Sequence, residues 1–196
     1  MAGKLDCLLN SGLKKSDVCG YSLKQINEIY LANFAEADGL GITVATATGD
    51  SDTTTDIYTV SAVSGSTKWY KFEPAKDTSS YNDDLVIGGN GSKYRTHTMT
   101  FSFNGKYSAQ VAEVLDELSL GKFIAVLKLT DGSGIMLGRL TGLEASAASS
   151  LSEAAADGQN GITVTLECNT VEPALPMSKD ALDAVIATTK ETNDGE

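Results

Sequence analysis

Apolar and polar residues alternate strictly in three segments of the chain. In 96–103 (THTMTFSF), His97, Met99, Phe101 and Phe103 fall on one side, and Thr96, Thr98, Thr100 and Ser102 on the other. A period of two is that of a strand with one buried and one solvated face. The segment 161–168 (GITVTLEC) repeats it, with Ile162, Val164, Leu166 and Cys168 inward and Thr163, Thr165 and Glu167 outward. In 67–73 (TKWYKFE), Tyr70 and Phe72 oppose Trp69 and Lys71. The stretches 26–34, 122–129 and 135–140 carry apolar groups on both faces. Such strands must be covered twice, by a helix, a second sheet or a neighbouring subunit. Residues 42–48 and 56–63 read as two strands joined by the loop 49–55, and the tight turn 131–134 (DGSG) predicts a hairpin between 122–129 and 135–140.

The period changes to that of a helix over 106–120, where Tyr107, Val111, Val114, Leu115 and Leu118 form one stripe. Ser108 or Asn104 is placed to cap its start, and Gly121 stands where a left-handed terminal residue belongs. A second, short helix is predicted over 178–189, behind Ser178. The Ala/Ser-rich run 144–160 joins two strands and is long for a loop, which makes it either a mobile loop or an arm that orders against another subunit. The whole reads as one mainly β domain, an antiparallel β-sandwich or barrel with one packed helix, over 26–176. An N-terminal extension (1–25) and a C-terminal extension of short helix and loose tail (177–196) flank it.

Charge narrows the function. Fifteen basic residues stand against 26 acidic ones, a formal net charge of −11. An acidic surface repels phosphates, so specific binding to duplex nucleic acid or anionic lipid is not expected. The three cysteines, Cys7, Cys19 and Cys168, are too few and too scattered for a disulfide framework or a zinc site, and read as reduced thiols. Residues 1–20 lack the apolar run of a secretory signal, and no window has the eighteen or so apolar residues of a membrane span, so a cytoplasmic origin is expected.

Candidate chemistry is sparse. His97, the single histidine, lies on the apolar side of its strand and reads as a packed residue, and no GxSxG elbow offers it a nucleophile. Asp50, Asp52 and Asp56 resemble part of a calcium loop, but positions six and twelve counted from Asp50 are Thr55 and Ser61 rather than Gly and Glu. The run 88–93 (GGNGSK) lacks phosphate-loop spacing and reads as a turn between strands. Asp83 and Asp84 are adjacent, so in a strand they face opposite ways. No catalytic residue, metal or cofactor is expected.

One resemblance carries the functional expectation. The stretch KWYKFEPAKDTSSYNDDL (68–85), then TMTFSFNG (98–105) and the amphipathic helix are followed by the hairpin KFIAVLKLTDGSGIMLGRLTGL (122–143), the Ala/Ser run, and GQNGITVTLECNTVEPALPM (158–177). In order and spacing over roughly 110 residues this resembles the tail tube proteins (major tail proteins) of long-tailed bacteriophages, whose fold is shared with tubes of contractile tails and type VI secretion. The resemblance implies a non-enzymatic virion protein, made in the host bacterial cytoplasm. Hexameric rings of it would stack into a tube through which DNA passes unbound, in contact with other tail proteins and without membrane insertion. Asp50, Asp52, Asp56, Glu144, Leu151, Glu153 and Asp157 are then candidate assembly-loop residues, and Thr96, Thr98, Thr100 and Ser102 a candidate lumen face. A head–tail connector, tail terminator, capsid decoration protein or tube of a bacterial injection system is the alternative.

Overall fold

The computed structural model describes residues 25–34, 41–45, 58–104, 108–152 and 160–190. Twelve strands and two helices follow in the order β1 (Ile26–Asn33), β2 (Thr43–Val44), β3 (Val60–Ala62), β4 (Trp69–Phe72), β5 (Ser80–Ile87), β6 (Lys93–Asn104), α1 (Ala109–Leu120), β7 (Lys122–Leu129), β8 (Gly134–Leu137), β9 (Leu143–Ser152), β10 (Asn160–Thr170), β11 (Leu175–Met177), α2 (Lys179–Ala187) and β12 (Thr189–Lys190). The protein is mainly β, as the alternation predicts. Its sheet is mixed rather than purely antiparallel, because β11 runs parallel to β3 and β12 parallel to β4. The sheet does not close on itself.

Strand β7 is the hub. It pairs along its length with β1, while its other edge is shared between β8 and β9. Beyond β8 lie β11, β3 and β2; beyond β9 lie β10, β6 and β5. The doubly apolar strands β1 and β7 therefore divide two cores. Ile29, Leu31, Ala125 and Leu127 join Met99, Phe101, Val164, Leu166 and Leu118 on one side. Tyr30, Ala32, Ile124 and Val126 join Trp69, Met136, Leu175, Leu182 and Val185 on the other. Of the three covers expected for such strands, the chain itself supplies both that are needed, and no neighbouring subunit is required to explain the pattern.

Several local expectations are corrected. The strand expected over 135–140 ends at Leu137: Gly138 and Gly142 take φ of +72° and +70°, and the Gly142 N–H closes a turn onto the Gly138 carbonyl at 2.8 Å. A left-handed pair of glycines cannot continue a strand. Residues 144–152 are not loop but the greater part of β9, in antiparallel register with β10 from Glu144↔Glu167 to Ser152↔Asn160. Alanine and serine have weak strand preference; here β10 supplies the hydrogen-bonding template that their own composition lacks. Helix α1 starts three residues later than expected, with the Ser108 side chain accepting from the Val111 N–H. Gly121 is extended (φ −84°, ψ 170°), not left-handed. Its requirement is steric: a Cβ there would run into the Phe123 ring and the Glu117 carbonyl. Helix α2 is an integral part of the second core, burying Ala181, Leu182 and Val185. The residues after 190 lie outside the described part.

Candidate functional site

Cross-strand partners in an antiparallel sheet point to the same face. The registers of β5, β6, β10 and β9 thus assemble the polar side of 96–103 into rows. Ser80, Thr100, Thr165 and Ala147 form one, Asn82, Thr98, Glu167 and Glu144 the next, Asp84, Thr96 and Asn169 a third, and Ser102, Thr163 and Ser149 a fourth. Hydroxyls bridge the strands: Thr100 to Thr165 at 3.1 Å, Ser102 to Thr163 at 2.8 Å, and Thr96 Oγ1 donating to Asn169 Oδ1 at 2.9 Å. The face carries three carboxylates (Asp84, Glu144 and Glu167), and β5, β6, β10 and β9 contribute no lysine or arginine to these rows; Lys122 of β7, the register partner of Glu144, extends the second row. Lys122 reaches Glu144 from β7 at 2.7 Å. Thr96, Thr98, Thr100 and Ser102 thus share one surface, and Glu144, expected in an assembly loop, belongs to it as well.

The β9–β10 hairpin is the second feature. Strand β7 pairs with β9 only at Leu143 and Glu144, so the outer backbone edge of the rest of β9 has no strand partner among the described residues. Residues 146–150 are exposed, and β5 ends the same branch of the sheet at its far side, with Leu85 and Ile87 59% and 64% exposed. Two open edges on one sheet are templates for further strands. Leu151 lies in β9 opposite Gly161. Asp50, Asp52, Asp56, Glu153 and Asp157 lie outside the described residues.

His97 is buried, as its place on the apolar side predicts. Its Nδ1 accepts from the Gly138 N–H at 3.4 Å, and its Nε2 lies 3.6 Å from Asp83 Oδ1. Asp83 is held in turn by Arg95 at 2.8 Å and by the Ala174 N–H at 3.0 Å. Burial lowers the His97 pKa despite the nearby Asp83 carboxylate. Cys168 stands opposite His97 in register and is buried, and burial raises its thiol pKa. The group ties β5, β6 and the 139–142 turn together. Among the described residues no cluster of three or more His, Cys, Asp or Glu is arranged to hold a metal, and no helix is long and apolar enough to cross a membrane.

Strand β5, one of the four strands of the polar surface, escapes the alternation pattern. Opposite its polar side it carries Tyr81, Asp83, Leu85 and Ile87, of which Leu85 and Ile87 are exposed, and the aspartate breaks the apolar alternation. The usable signal was the turn 88–92, which needs a strand on each side: the Gly88 N–H bonds the Ser92 carbonyl at 2.8 Å between β5 and β6. Comparison with protein-family models, curated proteins and solved structures finds no match to the chain.

Proposed function

We propose that this protein is a structural subunit of a phage tail tube, a virion protein that builds stacked rings around a channel for DNA and performs no catalysis. The observation that carries the reading is the polar face of β5, β6, β10 and β9. Hydroxyls, amides and carboxylates, with the bordering Lys122 paired to Glu144, give an acidic wall that repels phosphates. The tube resemblance of residues 68–177 supplies the architecture. In it, the two branches that diverge at β7 are the layers of a β-sandwich, α1 packs at its flank, and the open edges of β5 and β9 meet the edges of neighbouring subunits. Rings closed by such heterologous contacts stack because their top and bottom surfaces differ and repeat. Assembly takes place in the host bacterial cytoplasm, and the finished protein resides in the virion.

Negative-stain electron microscopy of the purified protein across a concentration series tests the proposal. Hollow filaments or stacked rings, with a lumen wide enough for duplex DNA, are expected. Discrete rings that never stack would replace the tube with a connector or terminator. Protein that stays monomeric at every concentration, and also with tail tips added as nuclei, would overturn ring assembly altogether.

A further inference from the structure

The hairpin of β5 and β6 outruns the sheet that holds it. Strand β10 pairs with β6 only as far as Arg95, opposite Thr170, so Lys93 and Tyr94 have β5 as their strand partner and no second one among the described residues. On the side opposite the hydroxyl rows, cover ends at Asp83, where His97 and the Ala174 N–H meet the carboxylate. The next two side chains on that side, Leu85 and Ile87, stand exposed. Lys93, opposite Ile87 in register, is exposed and has no ion-pair partner among the described residues, whereas Arg95, opposite Leu85, is held by Asp83. Residues 84–95 are thus a two-stranded finger with two bare aliphatic side chains and an ammonium on one side. Two strands alone are marginal in water, and covering those side chains would be favourable.

A surface of opposite character lies beside α1. Its cleft, of about 880 Å³, is lined by Phe72, Phe103, Val114 and Leu118, with Leu120 exposed at its end. The rim is acidic: Asp116 and Glu117 are exposed without an ion-pair partner among the described residues, and Lys71, the basic residue of the cleft, is already shared by Glu28 and Glu73. The last turn of α1 holds no basic residue. Carboxylates at the C-terminal end of a helix oppose its dipole, so a cation from elsewhere is favoured there. That cation cannot come from the same chain's finger. Phe103 in the cleft and Lys93 on the finger stand near opposite ends of β6, roughly 30 Å apart along the strand.

We propose that the β5–β6 finger of one copy seats in the α1 cleft of the next, with Leu85 and Ile87 against Phe72, Phe103 and Val114, and Lys93 at Glu117. Apolar side chains then meet an apolar floor, and an ammonium meets a carboxylate. Finger and cleft are different surfaces and each copy carries both, so the contact is heterologous and repeats into a ring or a filament. Resting on the self-assembly proposed above, the contact names the surfaces that assembly uses.

Crosslinking between two copies tests it. One chain carries Ile87→Cys and the other Val114→Cys, both with Cys7→Ser and Cys19→Ser. They are mixed, oxidised, and read by peptide mass spectrometry and by negative-stain microscopy. The 87–114 link is expected to exceed, by at least about tenfold, the 87–149 link formed when Ser149→Cys on exposed β9 replaces the 114 substitution. In sedimentation velocity, Lys93→Glu should weaken self-association several-fold, and Lys93→Glu combined with Glu117→Lys should restore it. Rings or filaments without the 87–114 preference, or with 87–87 links in its place, would overturn this contact and leave the tube standing. A preferred 87–114 link without rings or filaments would support the contact and overturn the tube. Neither links nor particles at any concentration would overturn both, and a double variant as weak as Lys93→Glu would overturn the pairing of Lys93 with Glu117.

Discussion

At the scale of single residues, the buried charges decide how the protein responds to pH. Burial raises the Glu28 carboxyl, but the Lys128 ammonium at 2.8 Å, the Tyr30 hydroxyl at 2.6 Å and Lys71 outweigh it, and the net pKa is lowered. A depressed carboxyl contributes stability that is present above its unfolded value and lost as pH falls through the folded one. His97 is also depressed, by burial, so the unfolded chain takes up its proton first. Its contribution is complete above about pH 6.5 and declines below that value. Two windows follow, one opening below about 6.5 and one below about 4.5. Melting temperature measured against pH should fall in both, and His97→Gln should flatten the upper window while leaving the lower. Asp83→Asn removes the charge facing Arg95, whose side chain is one-third exposed; urea unfolding should register a loss of about 1 kcal/mol, the scale of a partly solvated ion pair.

At the scale of elements, the two helices are capped alike and anchored differently. Ser108 and Ser178 each accept from the backbone N–H three residues on. Yet α1 buries one residue and α2 buries three. Leu182→Ala should therefore cost about 2–5 kcal/mol in urea unfolding, as for a filled core site, whereas Val111→Ala on half-exposed α1 should cost about 1 kcal/mol. Neither helix's burial follows from its stripe, because the stripe states which residues are apolar and not how well the opposing surface fits them. The β9 edge makes a separate prediction. Ala148 is exposed, so Ala148→Lys should change monomer stability by no more than about 0.5 kcal/mol. If the edge pairs with a neighbour, the same lysine blocks ring formation in the electron microscope, since a charge on an edge strand disfavours added strands.

At the scale of the whole molecule, the two faces of one branch of the sheet are given opposite work. One holds Met99, Phe101, Val164 and Leu166 in the core, and the other presents hydroxyls. The polar face makes its own prediction. Assembled protein carrying Asn82→Lys and Thr98→Lys should retain duplex DNA at low ionic strength and release it as salt rises, while the parent retains none. Each added lysine contributes counterion release and steepens the salt dependence. Filter retention at several salt concentrations reads the difference. Parent protein that holds DNA as firmly as the double variant would exclude a non-binding channel wall.

The sequence alone determined the mainly β class, β1, β4, β6, β7, β10 and α1 to within a few residues, the turn between β7 and β8, and the polar side of β6. These are legible because the period of burial is written residue by residue into the chain, so that Thr96, Thr98, Thr100 and Ser102 declare their common side before any partner is known. Tertiary structure alone decided which strands meet. It recruited the Ala/Ser run into β9 against β10, admitted Asp83 to an inward position by giving it Arg95 and the Ala174 N–H, and brought Glu144 into the row of Thr98. It also filled both sides of β1 and β7 from within the chain. Pairing depends on hydrogen bonds and contacts between residues far apart along the chain, and a periodic pattern records that a face is covered without recording by what.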